Sequence, residues 1–284
     1  MSVDNHDRAS RETGGQTRAI VVVGYPKSGT TWITRLTAEL AGCPVAGFWG
    51  HPEYREVAVE GAERVSPDRC FKAHHSYPEL CATMSGPNPP VAIYVVRDPR
   101  DVAISASHYF SFRRHIRRCV WLRLAGFGLR QCGQTREEAA QHLLTRKRRL
   151  AIMVKGILEG DADINEWCRL PWAEHVSGYL LAGIPFVRYE DMLAEPEREC
   201  ARLLALLGIE RDASAIREAL NRHAFQREKE RFSLLGETTK ADFLRQGRSG
   251  EWREWLTPSQ QVLFRQRLAG LLRQLNYAEG GEKA

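Results

Sequence analysis

Ala19-Ile20-Val21-Val22-Val23-Gly24-Tyr25-Pro26-Lys27-Ser28-Gly29-Thr30-Thr31-Trp32 is the stretch that decides the fold. Its first five residues are a short apolar run rich in β-branched side chains, the composition of a buried strand. A glycine-containing loop follows at 24–30. Beyond it, Trp32, Ile33, Leu36 and Leu40 recur at helical spacing until Gly42 and Pro44 end the helix. A strand, a glycine loop and a helix in that order make an anion site. Backbone N–H groups turn inward, and the helix N-terminus adds the positive end of its dipole. Ser28, Thr30 and Thr31 add hydroxyl donors, and Gly29 permits the tight backbone.

The same alternation continues outward. Val91–Val96 reads as a second buried strand, after the turn Gly86-Pro87-Asn88-Pro89-Pro90 and before a helix that starts just past Pro99. Pro185–Tyr189 reads as a third strand. Pro196 then opens a helix with Glu195 and Glu197 at its start, Leu203, Leu204 and Leu207 on its apolar face and Gly208 at its end. Thr257-Pro258 is an N-cap followed by proline at the first helical position, and that helix runs to about Asn276. Residues 110–170 are rich in arginine and aromatics and read as helical, without a clear strand. Strands alternating with helices predict an α/β fold, one domain with a central parallel sheet and helices on both faces.

With 284 residues and 43% of them hydrophobic, the chain can bury one large core. Residues 1–17 read as a disordered N-terminal tail, 18–278 as the domain and 279–284 as a C-terminal tail. No stretch approaches the roughly 20 apolar residues of a membrane span, so no integral membrane segment is expected. The seven cysteines are odd in number and none forms a CxxC pair, which fits a reducing cytoplasm. A net charge of +6 points to an anionic partner without choosing among nucleic acid, lipid and a phosphorylated small molecule.

The loop narrows that choice. Gly24 and Gly29 have the spacing of the Walker glycines, G-x-x-x-x-G-K-[ST], but Thr30 stands where its lysine belongs. The lysine sits inside the loop, at 27, and the second strand is followed by Arg97 rather than by an aspartate that could hold Mg²⁺. This is a phosphate loop without the metal apparatus of an NTPase.

Tyr25-Pro26-Lys27-Ser28-Gly29-Thr30-Thr31-Trp32 resembles the 5′-phosphosulfate loop of the cytosolic-type sulfotransferases, which use 3′-phosphoadenosine-5′-phosphosulfate (PAPS) as sulfonate donor. The resemblance implies that Lys27 contacts the phosphosulfate and balances charge on the leaving phosphate, with Ser28, Gly29, Thr30 and Thr31 in the same loop and Trp32 stacked on adenine. Arg97-Asp98-Pro99-Arg100-Asp101-Val102-Ala103-Ile104-Ser105 resembles that family's 3′-phosphate motif, and implies that Arg97 and Ser105 grip the phosphate. A fixed guanidinium and a helix hydroxyl suit that task.

Further segments carry the likeness. Lys72-Ala73-His74 resembles the Lys-x-His motif at the end of a strand, where the histidine is the general base and the lysine contacts the sulfonate. His75 is adjacent, and spacing favours His74. Tyr189-Glu190-Asp191-Met192 recurs in the family with the tyrosine lining the nucleotide site; a core tyrosine would explain it equally. Phe243-Leu244-Arg245-Gln246-Gly247-Arg248-Ser249-Gly250-Glu251-Trp252 resembles the family's Arg-Lys-Gly segment and its Gly-acidic-Trp. Arg245 and Gly247 match, and Gln246 replaces the lysine, which weakens one 3′-phosphate contact. Phe225 is a further candidate beside the adenine.

The implied fold is P-loop nucleotide-kinase-like. The implied reaction is in-line transfer of sulfonate to a hydroxyl or amine of a small-molecule acceptor, releasing adenosine 3′,5′-bisphosphate (PAP), with no metal required. The acceptor itself is not legible. The animal dimer seam, Lys-x-x-x-Thr-Val-x-x-x-Glu, is broken here: the aligned positions read Arg253, Thr257, Pro258 and Val262, which predicts a monomer or a dimer through another surface. The arginines at 113, 114, 117, 118 and 123, interleaved with Phe112, Trp121 and Phe127, read first as a solvated helix face; a membrane or an acidic acceptor is the other reading. The rival functions are a Mg²⁺-dependent kinase or NTPase on the same fold, against which the displaced lysine argues, and a basic nucleic-acid-binding protein, for which no reading motif is present.

Overall fold

The computed structural model describes residues 18–54, 57–84, 89–118, 144–224 and 248–277. Five parallel strands form one sheet: β1 (Arg18–Gly24), β2 (Val45–Phe48), β3 (Asp68–Ala73), β4 (Val91–Val96) and β5 (Phe186–Arg188), in the order β2-β3-β1-β4-β5. The helices are α1 (Thr30–Ala41), α2 (Tyr77–Thr83), α3 (Pro99–Tyr109), α4 (Arg113–Arg118), α5 (Arg146–Glu159), α6 (Trp172–Leu181), α7 (Tyr189–Ala194), α8 (Pro196–Leu207), α9 (Ala213–Arg222), α10 (Trp252–Trp255) and α11 (Pro258–Gln274).

The period-two geometry of a strand splits β1 and β4 between two cores. Val21, Val23, Tyr94 and Val96 face one core, closed by α3, α5, α6 and α11 through Val102, Met153, Trp172 and Phe264. Ile20, Val22, Ile93 and Val95 face the other, closed by α1, α8 and α9 through Leu36, Leu203 and Ile216. A strand covered on both faces needs an unbroken apolar run, which is why the sequence of β1 and β4 does not alternate. Each fully buried valine or leucine contributes about 1.5–3 kcal/mol.

The helix ends follow their residues. Gly42 and Gly208 adopt left-handed conformations that close α1 and α8. Thr257 caps α11 in a reciprocal box with Gln260. Several elements differ from the sequence reading. The strand expected at 185–189 stops at Arg188, because Tyr189 already opens α7 with Glu190 and Asp191 in its first turn, where the helix dipole favours them. The last helix ends at Gln274 rather than near Asn276, whose φ is 55°. Strand β2 was not expected: it is four residues long, and its pairing with β3 is irregular between Val45 and Phe48. Residues 110–170 contain α4 and α5 where described, and Trp121, Arg123 and Phe127 lie outside the described residues.

The topology makes a crevice. After β1 the chain crosses to the core of α1; after β3 it crosses to the opposite core, where α2 buries Leu80. The two adjacent strands thus send their following loops to opposite faces, and such a switch point at the carboxyl ends of a parallel sheet is where ligands bind.

Candidate active site at the carboxyl ends of β1, β3 and β4

The loop after β1 is shaped for an anion. Lys27 has φ 73° and Gly29 φ 89°. A left-handed lysine costs roughly 1–2 kcal/mol, so the surrounding structure enforces it. Gly29 is the N-cap of α1 and has no side chain to cap the helix, so no side-chain bond covers its first N–H groups. A Cβ on Gly29 would lie 2.5 Å from Cδ2 of Tyr189. Ser28 and Thr30 are buried, and neither hydroxyl has a hydrogen-bond partner. Buried hydroxyls without partners beside an uncapped helix N-terminus are matched by a phosphate group, so the residues present fit a phosphorylated ligand. The Lys27 ammonium sits 3.9 Å from the ring centroid of Tyr109.

Arg97, just past β4, joins the second motif to the first. Its Nη1 donates to the carbonyl oxygen of Lys27 (3.1 Å) and its Nη2 to that of Arg248 (3.2 Å), while the guanidinium carbon lies 4.3 Å from the centroid of Tyr189. Tyr189 meets Trp32 edge-on at 5.8 Å, and the Trp32 indole donates to the carbonyl of His223. Tyr189 therefore touches Gly29, Trp32 and Arg97 together. Burial pushes its phenol up, against the opposing pull of Arg97. Ser105 stands half-buried in the body of α3. From the same helix, buried Asp101 accepts N–H bonds from Gly250 (2.5 Å) and Trp252 (3.0 Å), which docks the segment following Arg248.

Lys72 lies in β3 and His74 just past its end, and both are buried. The His74 Nδ1 is 2.6 Å from the carbonyl oxygen of Gly24, across the crevice. A carbonyl only accepts, so Nδ1 carries the hydrogen and the lone pair of the neutral ring is on Nε2. His75 turns elsewhere. It packs with Phe48, His51 and Trp167, ring centroids 5.0–6.1 Å away. Neither ring nitrogen of His75 has a hydrogen-bond partner. Burial, then the neighbouring His51 and His74, lowers its pKa to about 4. Phe48 also lies beside His74, at 5.8 Å, so these aromatic rings border the histidine. Among the described residues, no group of three or more His, Cys, Asp or Glu side chains is placed to hold a metal ion.

The family described as Sulfotransferase domain matches residues 17–275. The chain belongs to the sulfotransferase family. Sulfotransferase 2B1 of Mus musculus is 23% identical over 266 residues, covering 86% of this chain and 68% of that protein. Sulfotransferase 2A2 of Rattus norvegicus is 22% identical over 274 residues, covering 88% and 84%. The mouse sulfotransferase SULT7A1 complexed with PAP superposes with a TM-score of 0.61 at 18% identity, over 93% of this chain and 89% of that one. Retinol dehydratase in complex with androsterone and inactive cofactor PAP gives 0.57 at 16%, over 95% and 83%. The enzyme is thus a sulfotransferase with the sulfotransferase fold.

In this sulfotransferase, the residues named from sequence fall into two groups apart from Ser105, which stands in the body of α3. Lys27, Ser28, Gly29, Thr30, Thr31, Trp32, Lys72, His74, Arg97 and Tyr189 all stand at the carboxyl ends of β1, β3, β4 and β5. Arg245, Gln246, Gly247 and Phe225 lie outside the described residues. The sequence reading missed Tyr109 beside Lys27, Asp101 behind Arg97, and the rings of Phe48, His51 and Trp167. Asp101 lies inside a quoted motif and could have been found there. The aromatic group carries no sequence signal, because it is assembled from β2, its following loop and a short 3-10 turn at Glu166–Cys168.

Proposed function

We propose that this sulfotransferase transfers the sulfonate of PAPS to a hydroxyl or amine of a small acceptor, with His74 as general base. PAPS supplies the sulfonate and an adenosine 3′,5′-bisphosphate leaving group. Residues 25–31 hold the 5′ end through backbone N–H groups and the hydroxyls of Ser28, Thr30 and Thr31. Arg97 and Ser105, with the Arg245-Gln246-Gly247 segment, hold the 3′-phosphate, and Trp32 and Tyr189 border the adenine. Lys27 and Lys72 stabilise negative charge as it shifts between the sulfonate and the leaving phosphate. His74 receives the acceptor's proton at Nε2, and the Nδ1–H bond to Gly24 keeps the ring in that tautomer.

One observation carries this reading: the buried, unpartnered hydroxyls of Ser28 and Thr30 belong to the loop whose first carbonyl, on Gly24, holds the imidazole of His74. Donor and base are thereby brought to one crevice. The Phe48, His51 and Trp167 rings beside His74 and His75 support an entry for a partly apolar acceptor.

Transfer from ³⁵S-labelled PAPS across phenols, sterols, alcohols, sugars, amines and peptide tyrosine, resolved by mass spectrometry, tests the proposal. Labelled product with at least one class is expected. Mg²⁺-dependent ATP turnover without any sulfonate transfer, or binding to mixed oligonucleotides in place of PAPS, would overturn it.

A further inference from the structure

His175 is a buried ionisable residue with no part in the chemistry above. It lies on α6 one helical turn before Tyr179, so both side chains leave the same face of that helix. Each ends on a backbone carbonyl just past β3. The Nε2 of His175 is 3.1 Å from the carbonyl oxygen of His74, and the hydroxyl of Tyr179 donates to that of His75 at 2.8 Å. These two carbonyls lie beyond the end of the strand, where the sheet ladder no longer serves them, and a buried carbonyl without a partner is costly. On its other side, the Nδ1 of His175 is 2.9 Å from the hydroxyl of Tyr94 in β4. Tyr25, from the loop after β1, packs edge-on against the same imidazole at 5.5 Å.

The His74 carbonyl only accepts, so Nε2 of His175 carries a hydrogen. Burial favours the neutral ring, lowering the His175 pKa to about 4, and in that ring the Tyr94 hydroxyl donates to Nδ1. An apolar side chain would fill this volume more simply, but it would leave the His74 carbonyl without its partner.

We infer that His175 is a positioning residue for sulfonate transfer: by holding the backbone carbonyl of His74 while Gly24 holds its ring, it aims the Nε2 of the base. His74 is then fixed through its main chain and through its imidazole. The inference rests on His74 being the base. A misplacement of about 1 Å at a reacting group can cost on the order of 10²-fold in rate.

The test uses the full-length enzyme with ¹⁵N-labelled histidine, and the variants His175→Leu, His175→Gln, Tyr94→Phe and His74→Ala. In the wild type, long-range ¹H–¹⁵N spectra should show His74 as the Nδ1–H tautomer. His175→Leu should convert it to a mixture, with PAP affinity by calorimetry within about 2-fold of wild type and kcat toward an alcohol acceptor found by the ³⁵S transfer screen lowered by roughly 10- to 100-fold. His175→Gln, whose amide can donate to the same carbonyl, should restore the single tautomer and most of the rate. Should His175→Leu fail to fold, Tyr94→Phe decides: it removes only the hydroxyl that orders His175, and should produce the same change in smaller degree. An unchanged His74 tautomer and rate in the folded variant, or a loss of PAP binding in proportion to rate, would overturn the inference. Full activity in His74→Ala would instead remove the base assignment, and with it the inference.

Discussion

Arg97 donates a hydrogen bond to the backbone carbonyl of Lys27 at 3.1 Å, so two motifs 70 residues apart in sequence share one contact. Parallel pairing of β1 with β4 brings this about: Gly24 lies opposite Val95, and each chain then runs directly into its motif. The backbone of one loop is thereby ordered by the side chain of the other.

Arg97→Ala should weaken PAPS and PAP together, because both carry the 3′-phosphate. Loss of a charge-assisted contact costs about 1.5–3 kcal/mol, roughly 10- to 150-fold in affinity. Adenosine 5′-phosphosulfate, which lacks that phosphate, should bind poorly to the wild type and be little changed by the substitution. Calorimetry with the three ligands checks this, and unchanged PAPS affinity would mean the clamp lies elsewhere.

His74→Ala should reduce kcat by about 10²–10⁴-fold and leave PAP binding nearly intact, since the base acts chiefly in the transition state. Acidic phenols, already ionised near neutral pH, should lose less than alcohols. His75→Ala should be mild, because both its nitrogens lack partners and its ring packs on Trp167. Initial rates for the two variants separate the histidines; an inactive His75→Ala beside an active His74→Ala would reverse the assignment.

Gly29→Ala should lower stability by about 1–3 kcal/mol and weaken PAPS, because φ is 89° and the new methyl would meet the Tyr189 ring. The double variant with Tyr189→Ala should recover the steric part of the loss but not the backbone part. Denaturant unfolding of the single and double variants measures the two.

Stability should fall as pH drops from about 6.5 toward 4. In the unfolded chain His75 and His175 take up protons near pH 6.5, whereas in the fold burial delays this to about 4. Between those values the unfolded state binds more protons, so acid favours unfolding. His75→Phe keeps an aromatic ring and removes one of the two groups, so the slope of unfolding free energy against pH should flatten in that window. Urea titrations from pH 4.5 to 7.5 check it.

The protein should sediment as a monomer, or as a dimer that survives change at 253–262. Pro258 has no N–H to donate across a seam, and Thr257 is committed to capping α11. Light scattering on the wild type and on Val262→Asp tests this; a dimer abolished by that one change would restore the animal-type seam.

The sequence by itself determined the strand–loop–helix unit at 19–41, the strand at 91–96 and the α/β class, and it named the residues proposed to meet phosphate. These are local matters: an unbroken β-branched run, a glycine loop and helical spacing are all read within a few residues of one another. The tertiary structure alone decided that Tyr189 would join Gly29, Trp32 and Arg97, that His74 rather than His75 would face Gly24, and that His175 would reach the main chain behind it. Each of those contacts joins residues at least 50 positions apart. Their physical cause is strand order: placing β3 and β4 on either side of β1 brings three loop ends to one edge of the sheet, and no pattern within a single segment encodes which neighbours a strand will take.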